Sequence, residues 1–129
     1  RLYKGKYISD ESYENAKNKK KELTQNIHEV LENFDILITP TNFDLPFNLG
    51  DISQINKYYM RHARSPFNVS GNPAISVPCG LSKTNLPIGF QIVGRYNADQ
   101  FISDIAHDFL IKTDWENIRK KEIIRADFI

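Results

Sequence analysis

The 129 residues hold one cysteine, one methionine and one tryptophan, and no apolar run approaches the length that crosses a bilayer. A lone Cys79 excludes an internal disulfide and suits a reducing compartment such as the cytoplasm. The first residues do not read as a signal peptide. An excess of one charge is missing as well. With 17 basic and 16 acidic side chains the formal net charge is +1, which gives no electrostatic reason to expect nucleic acid, a membrane surface or a polyanion as partner. The only compact basic run, Lys19-Lys20-Lys21, lies in a predicted helix with Glu11, Glu14 and Glu22 and reads as a solvated face rather than an RNA contact.

Catalytic motifs are equally scarce. There is no Gly-x-Ser-x-Gly elbow, no P-loop and no dinucleotide-type glycine fingerprint. The three histidines, His28, His62 and His107, are scattered, and His28-Glu29 lacks the second histidine of a metal-binding helix. Neither metal nor cofactor is expected. Cys79, between Pro78 and Gly80, reads as a buried or turn thiol without a basic neighbour to activate it. Ser76 reads as strand packing, and Ser70 beside Gly71 as a turn residue with local hydrogen bonds. No catalytic residue is assigned within this chain.

What is present is punctuation. Four of the six prolines and three of the six glycines fall between Pro66 and Gly89, and Gly94 closes the run. Proline fixes φ and glycine reaches positive φ cheaply, so the segment predicts short strands and specified turns. Ala74–Val77 and Ile88–Val93 are the apolar runs, and a hairpin with a polar loop from Pro78 to Pro87 joins them. In the second run Ile88, Phe90 and Ile92 make a core face. Gly89 and Gln91, on the other face, require a close neighbour or a hydrogen-bond partner.

Upstream, Ser9 caps a long amphipathic helix predicted over 10–33, with Tyr13, Ala16, Lys20, Leu23, Ile27, Val30 or Leu31, and Phe34 along one stripe. Ile36-Leu37-Ile38 is a continuous apolar run before Thr39-Pro40-Thr41, the pattern of a strand covered on both faces. The loop 40–51 carries Phe43, Leu45, Phe47 and Leu49, which need a surface to cover: either the rest of the polypeptide or a ligand, as a pocket wall. A shorter helix is predicted from Ile52 to His62. Another begins at Asn97 or Ala98 with Phe101, Ile102, Ile105, Ala106, Phe109 and Leu110 on one face. The tail from Lys112, with Trp115, Ile118, Ile123 and Ile124, reads as a clasp on another part of the parent protein. About three strands with three helices cannot easily cover a central strand twice, and the chain opens on Arg1 with Met60 its sole methionine. The expectation is a piece of a longer polypeptide.

Several blocks, in order, resemble the amidase signature family. Tyr13-x-x-Ala16 is similar to its long helix, and Asp35-Ile36-Leu37-Ile38-Thr39-Pro40-Thr41 to its strand and loop. Pro66 to Gly80 (PFNVSGNPAISVPCG) is the strongest match, followed by Leu86 to Gly94 (LPIGFQIVG) and Thr113-x-Trp115. The resemblance implies an α/β protein: the C-terminal part of an amidase-signature α/β/α fold, with a mixed β-sheet core flanked by helices. Residues 1–129 would form a single C-terminal segment of an amidase-type domain, its catalytic N-terminal part lying upstream. It further implies hydrolysis of carboxylic amides to acid and ammonia through an acyl-enzyme, by a serine, a second serine on a cis peptide and a lysine. None of these is present here, and Lys83, in the hairpin loop, is not promoted to that lysine. By loop position and family likeness the substrate-binding candidates are Thr39, Thr41, Asn42, Phe67, Asn68 and Gly71.

Two departures from the family pattern stand out. Asn85 occupies a place where glycine is usual, and asparagine is the side chain that best tolerates left-handed geometry. Arg61 stands where the glutamine-using amidotransferase branch carries an acid that helps hold the substrate's amino group, which favours a general amidase. The implied partners are the remainder of the amidase chain and a small amide, with a homodimer left open. Two alternatives stay open: the A subunit of a tRNA-dependent amidotransferase, and a truncated homologue serving as an interaction domain.

Overall fold

The computed structural model describes residues 2–48 and 50–126, with side chains described as far as Lys120, those of Leu2 and Lys4 excepted. Arg1, Leu49 and the side chains of Ile123 and Ile124 therefore lie outside the described residues. A short α1 (Leu2–Gly5) precedes α2, Asp10–Asn33. Ser9 caps α2 by accepting a hydrogen bond from the Ser12 amide at 3.2 Å, and Asp10 and Glu11 sit at the positive end of its dipole. Only the second half of the stripe is used. Leu23, Ile27 and Leu31 pack inward, whereas Tyr13, Ala16 and Val30 stay exposed. At the far end Arg95 closes the helix, its Nε donating to the Leu31 carbonyl at 2.7 Å.

Three antiparallel strands follow in spatial order β1-β3-β2: β1 is Leu37–Pro40, β2 Ala74–Leu81 and β3 Pro87–Val93. The hairpin of β2 and β3 has longer arms than expected. Pro78 and Cys79 belong to the strand, because a bulge between Pro78 and Gly80 absorbs Cys79 before pairing resumes. Cys79 is exposed there, so its reading as a buried or turn thiol is corrected. The loop is the tight 82–86 segment. Its Ser82 amide donates to Leu86 at 2.8 Å and its Asn85 stands at φ 59°, the left-handed geometry anticipated for it.

Between β1 and the hairpin come α3 (Ile52–Tyr58) and α4 (Ser65–Ser70). The second of these replaces an expected turn. Pro66 in the first helical turn tolerates its missing N–H, and Gly71 at φ 82° ends the helix by donating to Phe67. After the sheet come α5 (Asp99–Lys112) and α6 (Trp115–Ala126).

Each face of the sheet is covered in part. Ile27, Leu31, Phe67 and Val93 form one cluster beneath α2 and α4, with Leu37 at its border. Val77, Ile92, Ile102 and Ala106 form the other beneath α5, where Phe90 and Phe109 meet edge to face at 5.1 Å. Gly94 permits the close fit of α5, since a Cβ there would stand 2.7 Å from Ile102 Cγ2. Burying one such aliphatic side chain contributes about 1.5–3 kcal/mol, so these two small clusters hold the unit together. Among the described residues no helix is long and apolar enough to cross a membrane.

Candidate functional site

On the α2 face of the sheet the residues change character along the strands. At one end Leu37, Val93 and Ala74 lie in register beside the apolar cluster. In the middle row Thr39, Gln91 and Ser76 are in register. Gln91 is 3% exposed, so burying its amide without partners would be costly. It has them: Nε2 donates to Thr39 Oγ1 at 2.8 Å and to the Ala63 carbonyl at 2.9 Å. One side chain thereby ties β3 to β1 and to the strand-like segment before α4. The partner that the sequence demands for Gln91 is found.

Beyond that row the face opens into a groove of about 470 Å³. Its floor is Thr41, Ser76 and Gly89, and its walls include Phe43, Leu45 and Pro87. Thr41 Oγ1 and Ser76 Oγ lie 2.8 Å apart, and a Cβ on Gly89 would meet both hydroxyls at 3.5 Å. The glycine keeps that floor low. Ser76, expected to pack within a strand, is instead an exposed hydroxyl in the groove. Sequence reasoning missed it, because its place on the Gln91 face follows from the register of β2 against β3.

The rim of the groove is anchored by backbone pairing. Thr41 donates to Gly89 at 3.2 Å, Ala63 donates to Thr41 at 3.2 Å, and Phe43 donates to Arg61 at 3.3 Å. Residues 41–43 and 61–63 thus run antiparallel, with Asn42 bridged to His62. On the far side of the 42–46 loop a second concavity of about 210 Å³ lies against Tyr58, Tyr59, Arg61 and Arg64. There Arg61 Nε stands 2.9 Å from Asp44 Oδ2.

The six candidate binding residues divide into two groups. Thr41 and Asn42 line the groove, and Thr39 is held just behind it by Gln91. Phe67 is in the core at 7% exposure, Asn68 is exposed on α4, and Gly71 packs under the Tyr96 ring. Among the described residues no cluster of three or more metal-ligating side chains occurs.

The sequence model of the amidase family matches residues 1–102. This chain belongs to the amidase family. Among curated relatives, the glutamyl-tRNA(Gln) amidotransferase A subunit of Dehalococcoides mccartyi is 42% identical over 95 residues, covering 72% of this chain and 19% of that protein. Its namesake from Clostridium novyi is 33% identical over 122 residues, 93% of this chain and 24% of its own length. The amidase-family chain thus spans about a fifth to a quarter of these relatives. Among solved structures, the glutamyl-tRNA(Gln) amidotransferase A subunit from Thermotoga maritima superposes with a TM-score of 0.65 at 34% identity, covering 78% of this chain and 21% of that one. A 6-aminohexanoate cyclic dimer hydrolase complexed with substrate gives 0.59 at 26% identity, covering 75% and 23%. The mixed α/β architecture with helices against a sheet is that of amidase-signature enzymes.

Proposed function

We propose that the protein carrying this chain hydrolyses carboxylic amides, adding water to R-CO-NH2 to release the acid and ammonia. The membership of residues 1–102 in the amidase family carries the reading. The reacting serine, the second serine on a cis peptide and the lysine belong to polypeptide upstream, and acyl transfer runs through an ester on that serine. The present segment is the C-terminal part of the domain and supplies sheet core and pocket wall. Thr39, Thr41 and Asn42 serve the wall around the hydroxyl-floored groove, while Phe67 and Asn68 in α4 and Gly71 at its end support it. The groove supports this role: apolar sides suit an acyl chain, and paired hydroxyls suit an amide that both donates and accepts.

The test is ammonia release from a panel of aliphatic and aromatic amides. The full-length protein should release it, and residues 1–129 alone should not exceed a heat-killed control. Turnover by residues 1–129 would refute the upstream placement of the chemistry.

A second reading, the A subunit of a tRNA-dependent amidotransferase working with partner subunits, is favoured by the names of the relatives at 42% and 33% identity. Arg61, already paired with Asp44, weighs against glutamine-specific use. Glutamine-dependent amidation of charged tRNA by a co-purified complex, without hydrolysis of simple amides, would select it.

A further inference from the structure

We propose that the Thr41–Ser76 hydroxyl pair seats the donor–acceptor edge of a primary carboxamide, so that R-CO-NH2 is taken up in preference to N-substituted amides. The two oxygens lie 2.8 Å apart, and either can be the donor. A hydroxyl carries one O–H and two lone pairs. Whichever donates, the pair therefore keeps one spare O–H and spare lone pairs, and neither hydroxyl has another partner among the described residues. Both line the groove. Gly89 clears the place from which both can be reached. It lies in register with Pro78 on one side, and on the other its carbonyl accepts from the Thr41 amide at 3.2 Å. Its φ is not left-handed, so the backbone there does not require glycine. A Cβ would stand 3.5 Å from each hydroxyl oxygen and 3.4 Å from the Val77 carbonyl, ordinary contact distances. Alanine fits; what it would remove is space. Glycine weakens a strand interior and marks a point of close approach.

A primary amide fills that space by one edge. Its oxygen and nitrogen are about 2.2 Å apart, a near match to the hydroxyl pair. The oxygen accepts the spare O–H, and the N–H on the same side donates to a spare lone pair. An ester or a carboxylate has no N–H to give. A secondary amide in its ordinary trans form turns its N–H away from the side of its C=O. Presenting both on one edge requires the cis form, a cost of roughly seventyfold. Forfeiting one of the two hydrogen bonds costs only about tenfold, so that cheaper loss sets the discrimination. That the seated amide is the one cleaved rests on the hydrolase reading; that an amide is seated does not.

The experiment reads binding by calorimetry on the full-length protein with butyramide, its isomer N-methylpropanamide, and butyrolactam, whose ring holds N–H and C=O on one side. Butyramide and butyrolactam are expected to bind alike, both about tenfold more tightly than N-methylpropanamide. Thr41→Val/Ser76→Ala should erase that difference. Gly89→Ala, which keeps both hydroxyls, should weaken butyramide and butyrolactam by a similar factor at unchanged melting temperature. Equal affinity for the two isomers, a lactam as weak as N-methylpropanamide, no binding of any of the three, or a preference that survives either variant overturns the site. Ammonia release from butyramide is followed alongside. The expected ranking without ammonia upholds the site and counts against hydrolysis, and ammonia without the ranking does the reverse.

Discussion

Ile38 and Ile92 are register partners on the same face of the sheet, yet Ile38 is 63% exposed and Ile92 only 1%. Residue type and strand geometry are shared. What differs is the overlying helix: α5 reaches β2 and β3, whereas Ile38 beyond them is left uncovered. One row further, Leu37 and Val93 are both inside the α2 cluster or at its border. Of the continuous apolar run Ile36-Leu37-Ile38, the first two side chains pack against the two clusters and Ile38 is left exposed.

Alanine at Ile92 should show the largest effect, about 2–5 kcal/mol in urea unfolding, because it empties a filled site. A loss below about 1 kcal/mol would mean that the α5 side is not close-packed. Next comes Gln91→Leu, which leaves the Ala63 carbonyl and the Thr39 hydroxyl without their donor and should cost about 1–3 kcal/mol. It should also speed hydrogen exchange at the Phe43 and Ala63 amides; unchanged exchange there would show that the rim is held without Gln91. Ile38→Ala should stay within about 0.5 kcal/mol in the 129-residue chain, as for an exposed site. In the full-length protein the same change should approach the Ile92 value, and equal small losses in both would show that nothing covers β1.

The smallest effect is expected far from the sheet, on α6. There the Lys120 ammonium, hydrogen-bonded to Glu116 at 2.7 Å, holds that carboxyl below its usual range. A lowered folded pKa means that the pair's contribution is present above the ordinary glutamate value and is lost as pH falls through the lowered one. Both groups are exposed, so Lys120→Met should raise the Glu116 midpoint in an NMR titration while leaving the melting temperature at neutral pH unmoved.

Much of this arrangement was legible from residue order. The Ser9 cap and the three-four spacing placed α2 at both ends, although periodicity could not tell that only Leu23 onward meets a core. The alternation in β3 identified Gln91 as needing a partner, but not which one, because Ala63 is 28 residues away and reaches it only through the pairing of 41–43 with 61–63. The short α4 was hidden because Pro66 and Gly71 signal a turn and bracket a helix with the same chemistry. Cys79 was misjudged since a bulge depends on cross-strand register, which local composition does not encode. Of the residues lining the two concavities, Thr41 and Asn42 were named from loop position and family likeness; Ser76 and Arg64 emerged only when distant segments were brought side by side.

The clasp between 41–43 and 61–63, fastened from beneath by Gln91, closes the intervening stretch into a tethered insert whose two stems share one anchor. Loop-closure entropy rises only slowly with added length, so such an insert can be rewritten, lengthened or exchanged while its stems keep their registration. The make-up of this insert and the integrity of the sheet are thereby carried by separate stretches of the polypeptide, and evolution or an engineer can graft new 44–60 sequences without renegotiating the sheet.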